Sequence, residues 1–156
     1  MENQDQTSPF KNIVIFDIDG TLANGEHRVH YVREKPKNWF KYNSLMHLDT
    51  VNEHVVHMYH TLQYAGYILY IVSGREDQFR DVTLEWLEKN EIRHYRALYM
   101  RKAGDYRSDD IVKEELLLTH FDKDRILCVF DDRPRVIRMW RKNGLKVFDC
   151  GNGVEF

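Results

Sequence analysis

Ile13-Val14-Ile15-Phe16-Asp17-Ile18-Asp19-Gly20-Thr21 is the stretch whose reading decides the fold. An unbroken apolar run with β-branched residues, Ile13 to Phe16, reads as a strand buried on both faces, the habit of parallel sheets. Such a strand, running out into Asp17 and Asp19 and then Gly-Thr-Leu, delivers acid groups to the carboxyl edge of the sheet. Open α/β folds do their chemistry at that edge. Two carboxylates held this close repel, so the arrangement calls for a cation or for protonation of one of them.

Outward from this strand the chain alternates between short apolar runs and helical periods. Residues 1–10 begin with a polar stretch and are expected to be flexible. Residues 22–51 are irregular, contain Pro36 and cluster the aromatics Trp39, Phe40 and Tyr42. That is too long for a plain loop, so a partly helical insertion, a small cap over the sheet edge, is expected there. From Asn52, Val55, Val56, Tyr59, Leu62 and Ala65 keep helical spacing until Gly66 stops the pattern. Tyr67 to Val72 reads as a second strand, followed by Ser73-Gly74-Arg75. A helix from Phe79 to Asn90 and a short strand from Ala97 to Met100 come next. Ser108-Asp109-Asp110 is expected to cap a helix through Val112, Leu116 and Leu117. Ile126 to Phe130 is a further strand that ends in Asp131-Asp132. Pro134 starts the last helix, Gly144 ends it, and Lys146 to Phe148 closes the series. Strands alternating with helices predict an α/β fold, a Rossmann-like parallel sheet flanked by helices, in one domain over residues 1–156.

Composition narrows the classes of function. A 156-residue chain with 42% hydrophobic, 13% aromatic and 31% charged residues can bury a sizeable core and is not a disordered chain. Its net charge of −2 excludes a globally cationic polyanion binder, so affinity for nucleic acid has to come from local patches. Two cysteines, one of them inside an apolar run, suit a reducing compartment better than a disulfide scaffold. Neither a secretory leader nor a membrane span is read, and a cytosolic location, in a phage or its bacterial host, is expected.

Three predicted strands end in polar groups: Asp17 with Asp19, Ser73-Gly74-Arg75, and Asp131 with Asp132. In a parallel sheet these converge on one edge, and the helix starting near Asp109 brings Lys113 toward it. Phosphoryl transfer accounts for this inventory. A carboxylate can attack phosphorus to form an aspartyl-phosphate. A second carboxyl can protonate the leaving oxygen and then deprotonate water. Mg²⁺ is a hard cation that favours carboxylates, water and phosphate oxygens. Ser73, Arg75 and Lys113 would hold the phosphoryl oxygens as charge develops on them.

The motifs FDIDGTLA (16–23), IVSGRE (71–76), AGDYRSDDIVKEE (103–115) and FDDRPRVIRMWRKNGL (130–145), with Arg28 between the first two, resemble the haloacid dehalogenase superfamily of phosphohydrolases. More narrowly, they are similar to the phosphatase domains of phage-type polynucleotide kinase-phosphatases, which remove 3′ phosphates from RNA and DNA. The resemblance runs from about Asn12 to the carboxyl end. It implies Asp17 as nucleophile and Asp19 as general acid–base. It also implies Thr21, Arg28, Ser73, Gly74, Arg75 and Lys113 as phosphate-facing groups. It places Asp109, Asp131 and Asp132 around a magnesium site shared with Asp17 and the Asp19 carbonyl. Two departures stand out: there is no G-x-x-x-x-G-K-[ST] phosphate loop or kinase domain, and the segment between Thr21 and Asn52 reads as longer than in the bifunctional enzyme.

Other features have plainer readings. His54, His57 and His60 fall three apart and are expected on a solvated helix face. Arg135, Arg138, Arg141 and Lys142 suit either a solvated face or a nucleic-acid track. The stretch from His27 to Lys41 mixes Arg28, Arg33, Lys35, Lys37 and Lys41 with Tyr31, Trp39 and Phe40, which suits a phosphate backbone and a stacked base. The expected substrate is a 3′-phosphorylated RNA or DNA end, with a separate kinase or ligase as a possible partner. A small-molecule nucleotide phosphatase and an end-binding subunit of a repair complex are the alternatives.

Overall fold

A computed structural model describes residues 10–155. The expectation of a flexible amino terminus therefore lies, apart from Phe10, outside the described residues. Ile13–Phe16 forms β1, the central strand of a five-stranded parallel sheet among the described residues. The other strands are β4 (Ile68–Glu76), β5 (Leu98–Arg101), β6 (Ile126–Asp131) and β7 (Val147–Asp149), in the order β5-β4-β1-β6-β7. Alternate side chains of β1 point to opposite faces. Val14 and Phe16 pack with Tyr59 of α3 (Glu53–Tyr64) and with Trp86 and Leu87 of α4 (Arg80–Lys89). Ile13 and Ile15 pack with Leu117 of α5 (Asp109–His120) and with Val136 and Trp140 of α6 (Pro134–Lys142). Both faces of β1 are therefore dry, which is why its run carries no polar alternation.

The segment between β1 and α3 is partly helical, with α1 at Glu26–Arg33 and α2 at Trp39–Ser44. Its entry and exit are zipped together by an antiparallel pair that the sequence did not suggest, β2 (Ala23–Asn24) with β3 (Thr50–Val51). Val29, Val32 and Tyr42 form its own small apolar cluster. Two local expectations need correction. β4 does not stop at Val72 but continues to Glu76. Ser73 pairs with Met100 and Glu76 with Arg101, so Gly74 and Arg75 are extra residues bulged out of the ladder. Ser108 sits at the N-cap of α5, but its hydroxyl donates to Asp110 Oδ1 at 2.6 Å rather than accepting from a helix amide. A charged carboxylate two residues on is a strong acceptor and orients that hydroxyl away from the helix amides.

Candidate active site

The ends of β1 and β6 are locked side by side, the amide of Asp17 donating to the Phe130 carbonyl at 3.0 Å. This brings Asp17 next to Asp131 and Asp132. Lys113, one turn into α5, donates to Asp17 Oδ1 and to Asp131 Oδ2, each at 2.8 Å. Thr21 Oγ1 donates to the other Asp17 oxygen at 3.3 Å. Asp131 is fixed from several sides: Trp140 Nε1 of α6 donates to Oδ2 at 3.1 Å, and the amides of Asp132 and Arg133 donate to Oδ1 at 2.9 and 3.3 Å. Oxygens of Asp17, Asp131 and Asp132 lie within 4.8 Å of one another. Three carboxylates facing one ammonium leave roughly two negative charges over, and an all-oxygen set of that charge fits a divalent hard cation.

The electrostatics point the same way. Burial raises the Asp17 carboxyl well above the usual carboxylate range. Lys113 opposes the shift, while Asp131 and Asp132 add to it. Burial, and then the charge on Asp131, pushes Asp132 up to about 6. Burial works against the charge on Lys113, but Asp131 and Asp17 outweigh it and keep the ammonium protonated beyond its usual range. The chain holds these acids together against their own repulsion, which a bound cation would relieve.

Asp19 faces the opposite setting. Arg75, from the bulge of β4, donates to it through Nε at 2.9 Å and Nη2 at 2.7 Å, and Arg28 of α1 donates through Nη2 at 2.6 Å. Burial would raise the Asp19 carboxyl, but Arg75 and Arg28 outweigh it and hold it far below the usual range. Arg28 is only 1% exposed, and its guanidinium carbon stands 4.1 Å over the Tyr42 ring. Its Nε and Nη2 fork onto the two oxygens of Asp49 at 2.7 and 2.6 Å. Arg75 Nη2 reaches the same carboxylate at 3.3 Å, and the carbonyl of Asp49 accepts from Trp86 Nε1 at 2.8 Å. Asp49 is a site residue that the sequence reading missed. No local motif marks it; it precedes β3, and tertiary folding sets it against Arg28.

Asp109 does not join the acidic trio. Its two carboxylate oxygens are taken up by Arg101 and Arg133, so it orients those cations instead. Asp109 packs closely against Gly74, where a Cβ would stand 3.1 Å from Oδ1 and crowd the carboxylate. Ser73 is buried, and its Oγ accepts the Arg75 amide at 3.1 Å, steadying the bulge. Arg101 and Arg133 were also missed, although Arg133 follows directly on the Asp131-Asp132 pair. A cleft of about 600 Å³ opens over Asp17, Asp19, Arg75 and the acidic trio. Of the basic and aromatic stretch, Lys37 and Trp39 line this cleft, the ammonium 5.6 Å from the indole centroid. Lys35, Phe40 and Lys41 are exposed, and Arg33 pairs with Glu26 at 3.5 Å beside a second, smaller groove. Tyr31 and Tyr42 pack the segment itself. His54, His57 and His60 are all exposed on α3.

Among solved structures, a haloacid dehalogenase-like family protein from Streptococcus pneumoniae shares this architecture. The TM-score is 0.62 at 15% identity, over 88% of this chain and 83% of that one. The fold is thus the Rossmann-like one of the haloacid dehalogenase type. Within that class the chain belongs to the family of polynucleotide kinase PNKP phosphatase domains, whose model matches residues 11–155. A chain of the Pnkp1/Rnl/Hen1 RNA repair complex is 32% identical with a TM-score of 0.80, covering 99% of this chain and 48% of that one. A protein of Autographa californica nuclear polyhedrosis virus, described as a bifunctional polynucleotide kinase/RNA ligase, is 29% identical over 152 residues, 94% of this chain and 20% of its own length. The chain therefore spans about half of one relative and a fifth of the other. Among the described residues no helix is long and apolar enough to cross a membrane.

Proposed function

We propose that this phosphatase removes 3′ phosphates from polynucleotide ends, with Mg²⁺, through an aspartyl-phosphate. The observation that carries the reading is the setting of Asp17, a buried carboxylate at a strand end, held 2.8 Å from Lys113 and grouped with Asp131 and Asp132. In the first step a bond forms between Asp17 and phosphorus, the bond from phosphorus to the sugar 3′ oxygen breaks, and Asp19 protonates that oxygen. In the second, Asp19 takes a proton from water as the water attacks phosphorus, releasing phosphate and restoring Asp17. Arg28 and Arg75 now hold Asp19; Arg75 lines the cleft, so an arriving phosphoryl group competes for its guanidinium and loosens Asp19 for its proton, while the buried Arg28 positions Asp19 from behind. Thr21, Ser73, Gly74 and Lys113 complete the phosphate pocket. Asp17, Asp131 and Asp132, with the Asp19 carbonyl, would hold Mg²⁺, which bound there offsets charge on the carboxylates and the phosphoryl oxygens.

The names of the two relatives, one a kinase/ligase and one from an RNA repair complex, support RNA ends as the first substrate to test and a kinase or ligase as the working partner. The decisive assay measures phosphate release from an oligoribonucleotide carrying a 3′ phosphate, the same strand carrying a 5′ phosphate, and a nucleoside 3′-monophosphate. Release from the 3′ end alone, silenced by EDTA and restored by Mg²⁺, is expected. Equal turnover of the mononucleotide would instead make this a nucleotide phosphatase.

A further inference from the structure

The loop between β5 and α5 lines the cleft with Asp105, Tyr106 and Arg107, facing the same space as Lys37 and Trp39. Its backbone is pinned. Arg101 Nη1 donates to the Asp105 carbonyl at 2.9 Å and to the Arg107 carbonyl at 2.5 Å, one on each side of Tyr106. The Ala103 amide donates to Asp77 Oδ1 at 2.9 Å and the Gly104 amide to Glu76 Oε2 at 3.0 Å. The Arg107 guanidinium is tied to Asp105 and Glu115 at 2.7 Å each. On this braced loop Tyr106 is 88% exposed. A large aromatic side chain left in water on a fixed backbone is poorly explained by packing. It is what a stacking platform requires, since the backbone order is already in place and binding costs only the ring's own freedom. Lys37 on the same cleft supplies a cationic group for a phosphodiester chain, while Arg107 and Arg135 line it already paired with Asp105, Glu115 and Glu155.

We propose that Tyr106 stacks against a base among the last two nucleotides of the substrate while the 3′ phosphate sits at Asp17, an inference that rests on the polynucleotide reading above. Phosphate groups make the end bind; Tyr106 makes a base-bearing end bind better than a bare phosphomonoester.

The test compares the protein with Tyr106→Ala and Tyr106→Trp on three substrates: a 3′-phosphorylated oligonucleotide, the same strand with its last two nucleotides abasic, and p-nitrophenyl phosphate. Tyr106→Ala is expected to lower the ratio of kcat/KM for the intact strand to that for p-nitrophenyl phosphate about tenfold, and Tyr106→Trp to restore it. The unsubstituted protein should itself lose about tenfold on the abasic strand, where the alanine change costs no more than it does on p-nitrophenyl phosphate. Equal losses on intact and abasic strands, or no loss on the intact strand, overturn the stacking role. If p-nitrophenyl phosphate is hydrolysed and neither strand is, the polynucleotide reading falls and takes this one with it. Good hydrolysis of the intact strand regardless of residue 106 removes Tyr106 alone.

Discussion

Asp17 and Asp19 stand two residues apart, yet Lys113 lies against the first while Arg28 and Arg75 grip the second. A carboxyl raised by burial costs stability when it is ionised above its unfolded pKa, so at neutral pH Asp17 weakens the metal-free fold. Asp17→Asn is therefore expected to abolish phosphate release while unfolding, in EDTA, at a temperature no lower than the unsubstituted protein; calorimetry and an activity assay check both halves. Asp19→Asn separates proton transfer from site shaping. It should cost less with p-nitrophenyl phosphate, whose leaving group departs without a proton, than with an alkyl phosphate. Similar losses on both would show that Asp19 mainly holds the two arginines. Asp49 carries the heaviest structural duty of the missed residues. Asp49→Ala leaves the buried Arg28 without its fork, which is expected to cost about 3–5 kcal/mol in urea unfolding. In the fraction that folds, displaced arginines should lower kcat/KM on the order of a hundredfold. An unaltered rate would mean that Arg75 does not meet the phosphate.

At the level of elements, the site is made by the ways strands end. β1 ends in a turn where Gly20 adopts φ +81°, and a Cβ there would stand 2.1 Å from Asp132 Oδ2. Gly20→Ala should cost about 1–2 kcal/mol for the left-handed backbone. It should also raise the Mg²⁺ concentration needed for half-maximal activity, because Asp132 must move away from Asp17 and Asp131. A metal titration of activity, run beside thermal unfolding, distinguishes the two effects. β4 ends in a bulge that turns Arg75 toward Asp19, and β6 ends in a turn whose amides hold Asp131. The buried Trp140 of α6 also bonds Asp131, so core packing and site geometry share a residue.

Across the whole molecule, the net charge of −2 leaves affinity for a polyanion to the cleft. Lys37 lines it and Lys35 does not, although both belong to the same basic stretch. Each contact with a single strand adds about 0.7 to the salt slope of binding. Lys37→Ala is accordingly expected to flatten the dependence of oligonucleotide KM on salt by about that amount, while Lys35→Ala leaves it in place. An equal effect of the two would mean that the strand runs over the outer face of the segment rather than through the cleft.

What the sequence determined by itself is the alternation of strands and helices and the arrival of Asp17, Ser73, Arg75 and Asp131 at one edge. Both follow from short-range patterns: apolar runs, helical spacing, and the shared direction of parallel strands. Asp49 gripping Arg28, the β2–β3 zipper and the capture of Asp109 by Arg101 and Arg133 were decided only by tertiary structure. Their partners lie 8 to 28 residues apart or come from different elements, with no periodicity to announce them. The opposite protonation tendencies of Asp17 and Asp19 have the same origin. A carboxylate's charge state depends on which cations and acids surround it in space, and the chain between those groups carries no trace of that distance.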